Sequence, residues 1–159
     1  MPKEITGAST KDTLRLWLRM LSLTNMVERR LRQNLRTGYD VTLPRFDVMA
    51  ALYDNEPEGS SMGEISRRCM VTKGNVTGIV ERLEREGLID RRQRPEDRRS
   101  HVVRLTDAGR EAFEAMASDL EGWVASMFSG LDEEEVEQLA ELLGKAKRSV
   151  RSINGEEEV

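Results

Sequence analysis

A single cysteine in 159 residues permits no internal disulfide. A single histidine, His101, cannot supply a typical structural metal site, and no His/Cys cluster has metal-ligand spacing. No apolar run approaches the ~18 residues that a membrane span requires. The first ten residues, MPKEITGAST, lack the apolar segment of a signal peptide. No nucleophile–base pair and no phosphate-binding loop stands out, so the sequence offers an enzyme reading nothing. No cofactor is expected. What is present is 38% hydrophobic and 34% charged, the balance of a globular chain rich in charged helix surface. A chain of this length buries roughly 68–70% of its unfolded surface and needs no staple. One compact protomer in the cytoplasm is the expectation.

The net charge of −4 argues against a polyanionic partner, but its distribution does not. Residues 60–105 carry 11 basic and 7 acidic groups, whereas residues 106–159 carry 5 basic and 14 acidic ones. Exposed charges are screened within ~8–10 Å at ordinary salt, so the local balance decides which face meets a phosphate.

The basic stretch is also the one with the densest structural punctuation. Ser61 and Glu64 form a capping-box pair that opens a helix at Met62, which stops near Met70. Thr72 then caps a second helix. Along it Val76, Ile79, Val80 and Leu83 make one buried stripe, with Lys73, Gly74, Asn75, Thr77, Gly78 and Arg82 on the other side. Gly87 stands where a left-handed cap is favoured. Leu88–Arg92 and His101–Leu105 read as strands around the turn residues of 93–100. The order is helix, turn, helix, two-stranded wing.

These residues carry a resemblance. VTKGNVTGIVERLEREGLIDRR followed by PEDRRSHVVRLTDAG resembles the winged helix-turn-helix of the MarR family of bacterial transcription regulators. The likeness extends over roughly residues 12–150. It implies a mainly α fold with a small β-wing, in which residues 41–105 form the DNA-binding domain. Residues 11–40 and 106–151 would be dimerisation helices, residues 1–10 a disordered start and residues 152–159 an acidic tail. It implies a homodimer on a pseudo-palindromic duplex operator, acting as a repressor released by a small effector. The SRRCMVTKGNVTG run is similar to a branch linked to aromatic acids or their CoA thioesters.

The rest of the chain is compatible with that expectation. Lys11–Thr37 reads as one long helix ended by Gly38. Its first half is apolar on more than one side, through Leu14, Leu16, Trp17, Leu18, Met20, Leu21 and Leu23, which suggests a second subunit. Its second half carries Arg29, Arg30, Arg32 and Arg36, a solvated face or an anionic site for effector or phosphate. Pro44 suits the first turn of the next helix. Asn55–Gly59 is a turn, followed by a short strand against the wing. Thr106 caps a helix with apolar residues from Phe113 to Met127, Gly130 breaks it, and Asp132 with Glu135 starts the last helix.

Candidate DNA contacts follow from chemistry. Asn pairs bidentately with adenine, Lys reaches guanine, and Thr touches a thymine methyl or a phosphate. The reading-helix candidates are Thr72, Lys73, Gly74, Asn75, Thr77, Gly78 and Arg82. Each helical glycine costs ~1 kcal/mol relative to alanine, so each signals either close approach of DNA or a tight crossing inside the domain. The wing candidates are Arg91, Arg92, Arg94, Asp97, Arg98 and Arg99. The resemblance makes Arg99 a minor-groove arginine and Asp97 a residue that holds the wing in shape. Trp17, Met20, Phe46, Met49, Phe113 and Met116 are candidates for an effector pocket, or for ordinary core. Cys69 reads as an inert core residue, because the reactive cysteine of oxidant-sensing family members lies near the start of the first helix. Two other readings share the fold: a ligand- or redox sensor, and a winged protein-interaction module.

Overall fold

Each helix whose start is fully described opens where a side-chain oxygen replaces a missing backbone partner. Ser9 accepts from the Lys11 amide at 3.2 Å and opens α1 (Thr10–Tyr39). Thr42 accepts from the Arg45 amide and opens α2 (Leu43–Tyr53), with Pro44 in its first turn. The Ser61–Glu64 box is reciprocal: the Glu64 amide donates to Ser61 Oγ at 3.3 Å and the Ser61 amide to Glu64 Oε2 at 2.6 Å. It opens α3 (Met62–Arg68), which is followed by α4 (Lys73–Arg85), β1 (Ile89–Arg94) and β2 (Asp97–Leu105). Thr106 Oγ1 accepts from the Gly109 amide at 3.0 Å and opens α5 (Asp107–Met127). A second reciprocal box, Asp132 with Glu135, opens α6 (Glu133–Asn154). This computed structural model describes residues 9–69, 73–94 and 97–154, and the side chains of residues 73, 94, 97–100 and 154 fall outside that description.

Two helix ends separate expectation from structure. Helix α1 does not stop at Gly38, which lies within it. The left-handed residue is Asp40, at φ 53°, whose amide reaches back to Arg36 O at 3.2 Å. Asp is among the few side chains that adopt this conformation at modest cost. At the other end of the chain, α6 runs on through residues 152–154, into the stretch expected to be an acidic tail. The expected helix end at Gly87 is present. Gly87 has φ 74°, its amide donates to Glu84 O, and the Leu88 amide donates to Leu83 O, which together make a Schellman motif.

The wing is longer than the sequence suggested. Strand β1 reaches Arg94 and β2 begins at Asp97, so residues expected in a long turn are paired as strand. The antiparallel register runs from Ile89 opposite Leu105 to Gln93 opposite His101, and shifts before Arg94 meets Asp97. The short strand expected after Gly59 is a bridge of Ser60 to Val103, with bonds of 3.0 and 2.8 Å. Gly59 is required there. Its φ is +80°, and a Cβ would stand 2.8 Å from Val103 O.

The chain divides into two compact units, residues 1–122 and 123–159. In the first, α2, α3, α4 and the wing enclose Met49, Leu52, Ile65, Val76, Val80, Leu83 and Val103, all buried. Each such side chain contributes ~1.5–3 kcal/mol. Helix α5 docks on this domain through Phe113, whose ring lies 5.3 Å from Phe46 and 4.8 Å from Tyr53. Arg110 adds a two-pronged bond to Glu56, 2.9 Å on each side. At Gly109 a Cβ would sit 1.8 Å from Leu88 O, so only glycine lets α5 start this close to the wing. The second unit comprises the last turn of α5 and α6, and none of its described residues is buried. The same holds for α1 from Thr10 to Asn34, where Leu14, Trp17, Leu18, Leu21 and Met26 are exposed.

Candidate nucleic-acid interface

Helix α4 is divided into two faces. Val76, Ile79, Val80 and Leu83 are buried, and Gly74, Asn75, Thr77, Gly78 and Arg82 are exposed, as the 3–4 spacing requires. The two glycines answer the question their sequence raised. A Cβ at either Gly74 or Gly78 would find nothing within 4 Å, so neither serves a tight crossing inside the domain. Both open onto the surface that Asn75 and Thr77 share. Thr72, the expected cap, lies outside the described residues, and Lys73 is described only as backbone at the start of α4.

The arginines next to this face are already engaged. Arg82 Nε donates to Glu86 Oε1 at 3.1 Å, one turn on and just past the end of α4. Arg91 pairs with Glu84 at 3.1 Å and Arg92 with Asp90 at 2.9 Å. All of these carboxylates are at least a third exposed, so water screens the pairs and a phosphate can compete for the cations. The backbone places Arg94 opposite Asp97 near the wing tip, with Arg98 and Arg99 following along β2. The side chains of Arg94, Asp97, Arg98 and Arg99 lie outside the description. His101 is exposed on β2.

The six effector-pocket candidates do not form one pocket. Phe46, Met49, Phe113 and Met116 are buried in the first unit's core, whereas Trp17 is 56% and Met20 36% exposed on α1. Two of the six, Met49 and Met116, line a different cleft of about 290 Å³ together with Tyr39, Val41, Arg45 and Glu86. Sequence reasoning passed over Arg45. The signal was available: Arg45 falls in phase with Met49 and Leu52 on the buried face of α2, where a cation is out of place. Its side chain is 8% exposed and paired with Glu86, the same carboxylate that Arg82 uses. Its Nε is buried and finds no partner among the described residues. The hydroxyl of Tyr39, which lines the cleft, donates to Asp119 Oδ2 at 2.5 Å, and that bond holds the phenol above its usual pKa.

Cys69 Sγ lies 3.5 Å from Asp47 O. Burial, then the charge of Asp47, push its thiol pKa up against the opposing pull of Arg68. That lowers the thiolate fraction on which oxidant sensing depends. Among the described residues no group of three His, Cys, Asp or Glu side chains could hold a metal ion. No helix among them is long and apolar enough to cross a membrane.

Known proteins share this arrangement. The profile of the MarR family matches residues 39–100, from the end of α1 through the wing. An uncharacterized HTH-type transcriptional regulator of Bacillus subtilis, YkoM, is 35% identical over 119 residues, 75% of each chain. The HTH-type transcriptional repressor IacR of Pseudomonas putida is 33% identical over 111 residues, 70% of this chain and 65% of that one. The crystal structure of a MarR family transcriptional regulator from Silicibacter pomeroyi superposes with a TM-score of 0.73 at 30% identity, covering 90% of this chain and 99% of the other.

Proposed function

This chain belongs to the MarR family of winged helix-turn-helix transcription regulators, and from that premise we propose that it is a homodimeric, sequence-specific repressor released by a small acidic effector. The observation that carries the DNA reading is the outer face of α4. Two glycines with open space, an exposed Asn75 and an exposed Thr77 leave a smooth polar surface fit for base edges. Phosphate contacts by the wing arginines would set its register. The repressor named among the relatives supports the sign of regulation.

Dimerisation is supported by the faces left uncovered. Leu14, Trp17, Leu18 and Leu21 on α1, with Leu142, Leu143 and Val150 on α6, are between 41% and 63% exposed, a poor arrangement for an isolated chain. A second copy would also supply the second α4 helix that an operator of two half-sites needs. The effector reading rests on the cleft at Arg45. Its volume suits a small aromatic acid, or the acyl end of a CoA thioester. A carboxylate there would meet a buried guanidinium and compete with Glu86, which also restrains Arg82 on α4. The effector acts only as far as it binds one arrangement of the dimer better than the other.

The test is selection from a randomised duplex pool by the full-length protein. The reading predicts an enriched inverted repeat whose half-sites lie ~10 base pairs apart or a multiple of that. Recovery of unenriched sequence would overturn it.

A further inference from the structure

A second cleft, of about 400 Å³, opens beside the reading helix. The late turns of α1 supply Arg32 and Arg36, the start of α2 supplies Thr42 and Pro44, and α4 supplies Asn75 and Ile79. The two arginines stand one turn apart on α1, both exposed. Arg32 is tied to Glu28 at 2.9 Å. The Arg36 side chain has no ion pair or hydrogen bond among the described residues, whereas Arg82, Arg91 and Arg92 each have a carboxylate. The start of α2 offers little competition for an anion. Thr42 Oγ1 already accepts from the Arg45 amide, the Phe46 amide is bonded to Thr42 O, and Pro44 has no amide hydrogen.

We propose that Arg36, with Arg32 beside it, holds a backbone phosphate of the DNA just outside the bases that face Asn75. The proposal rests on α4 being the reading helix. A helix seated in the major groove has phosphates along both walls of a channel ~12 Å wide. Asn75 shares this cleft with the arginines, so bringing Asn75 to the base edges brings Arg36 to the wall. A guanidinium matches phosphate geometry with two parallel bonds, which a lysine cannot reproduce. Arg36 then fixes register without reading sequence, and extends the contact surface to the α1–α2 corner. A purely structural role is the other account of Arg36. It lies in the last turn of α1, where a cation complements the helix dipole.

The experiment compares the wild type, Arg36→Gln and Arg36→Lys on one mixed-sequence duplex across a salt series, with thermal unfolding in parallel. For Arg36→Gln the plot of log affinity against log salt becomes shallower by ~0.9 for each protomer bound. For two protomers, the variant's deficit shrinks about twelvefold between 50 and 200 mM salt. Arg36→Lys keeps the slope and loses only part of the affinity. The preference profile across a randomised duplex pool stays that of the wild type. An unchanged slope in Arg36→Gln overturns the proposal, and a lowered melting temperature with that slope assigns Arg36 to the dipole role. A change of preference at one base pair also overturns it, by making Arg36 a base reader. Saturable binding of inorganic phosphate alone, lost in Arg36→Gln, makes the cleft a small-anion site and overturns the backbone assignment. Failure of the wild type to bind any duplex removes the underlying reading as well, and so is distinct from failure of the variant alone.

Discussion

Replacing Gly78 with alanine should stabilise the protein and weaken its hold on DNA. Gly78 lies in the interior of α4, beyond the first turn, with φ outside the left-handed region. A methyl group there meets no atom within 4 Å, so nothing inside the chain has to move. The change then yields the helix-propensity difference between glycine and alanine, ~1 kcal/mol. For a chain of this size that corresponds to a rise of ~2–4 °C in melting temperature. If the glycine exists to let DNA approach the helix, the same methyl group meets base or backbone. Inserting a methylene into a close-packed contact costs ~1–3 kcal/mol, a loss of roughly fivefold to a hundredfold in affinity. Thermal unfolding and fluorescence-anisotropy titration of the full-length variant read the two effects separately. A variant that melts higher but binds DNA as tightly as the wild type would refute the close-approach argument. One that melts lower would refute the account of α4 as an unstrained helix at this position.

Other perturbations bear on other parts of the account. Trp17→Glu places a charge on the exposed apolar face of α1, and sedimentation at micromolar concentration should show dimer converting to monomer or to aggregate. An unperturbed dimer would place the interface elsewhere. Asp47 is half-buried, and its carboxyl pKa is raised by burial first and by Glu28 second, with Arg32 opposing. A carboxyl whose folded pKa lies above its unfolded value penalises the fold once ionised. Asp47→Asn should therefore melt higher than the wild type at neutral pH. The advantage should vanish as pH falls below the ordinary carboxylate value near 3.8, and a constant advantage would contradict the assignment.

Features that close within a few residues were legible in the sequence. The Ser61–Glu64 and Asp132–Glu135 boxes and the Gly87 cap each satisfy backbone groups with partners no more than five residues away, so a local pattern suffices. The α4 stripe was legible for the same reason, since a 3–4 spacing fixes which side can be buried. Asp40 was not, because a left-handed aspartate is a minority choice and Gly38, two residues earlier, is the commoner signal. Residue type alone could not divide the effector candidates. Phe46 and Phe113 fill core by stacking across 66 intervening positions, while Trp17 and Met20 are equally apolar and lie exposed. The cleft instead depends on Arg45, whose ion-pair partner Glu86 and whose α5 neighbours in the cleft wall lie far along the chain. Likewise the openness around Gly74 and Gly78 is a tertiary fact that no spacing rule contains.

The most direct measurement of the central claim, that the outer face of α4 reads bases, is the preference profile of Asn75→Ala against the wild type across a randomised duplex library. Asn75 is exposed near the start of α4, and Val76 beside it anchors the helix at zero exposure. The substitution should therefore leave the fold intact. The account predicts relaxed preference at one base pair in each half-site, worth ~1–3 kcal/mol there, with the other positions and the salt slope unchanged. A profile identical to that of the wild type would contradict it.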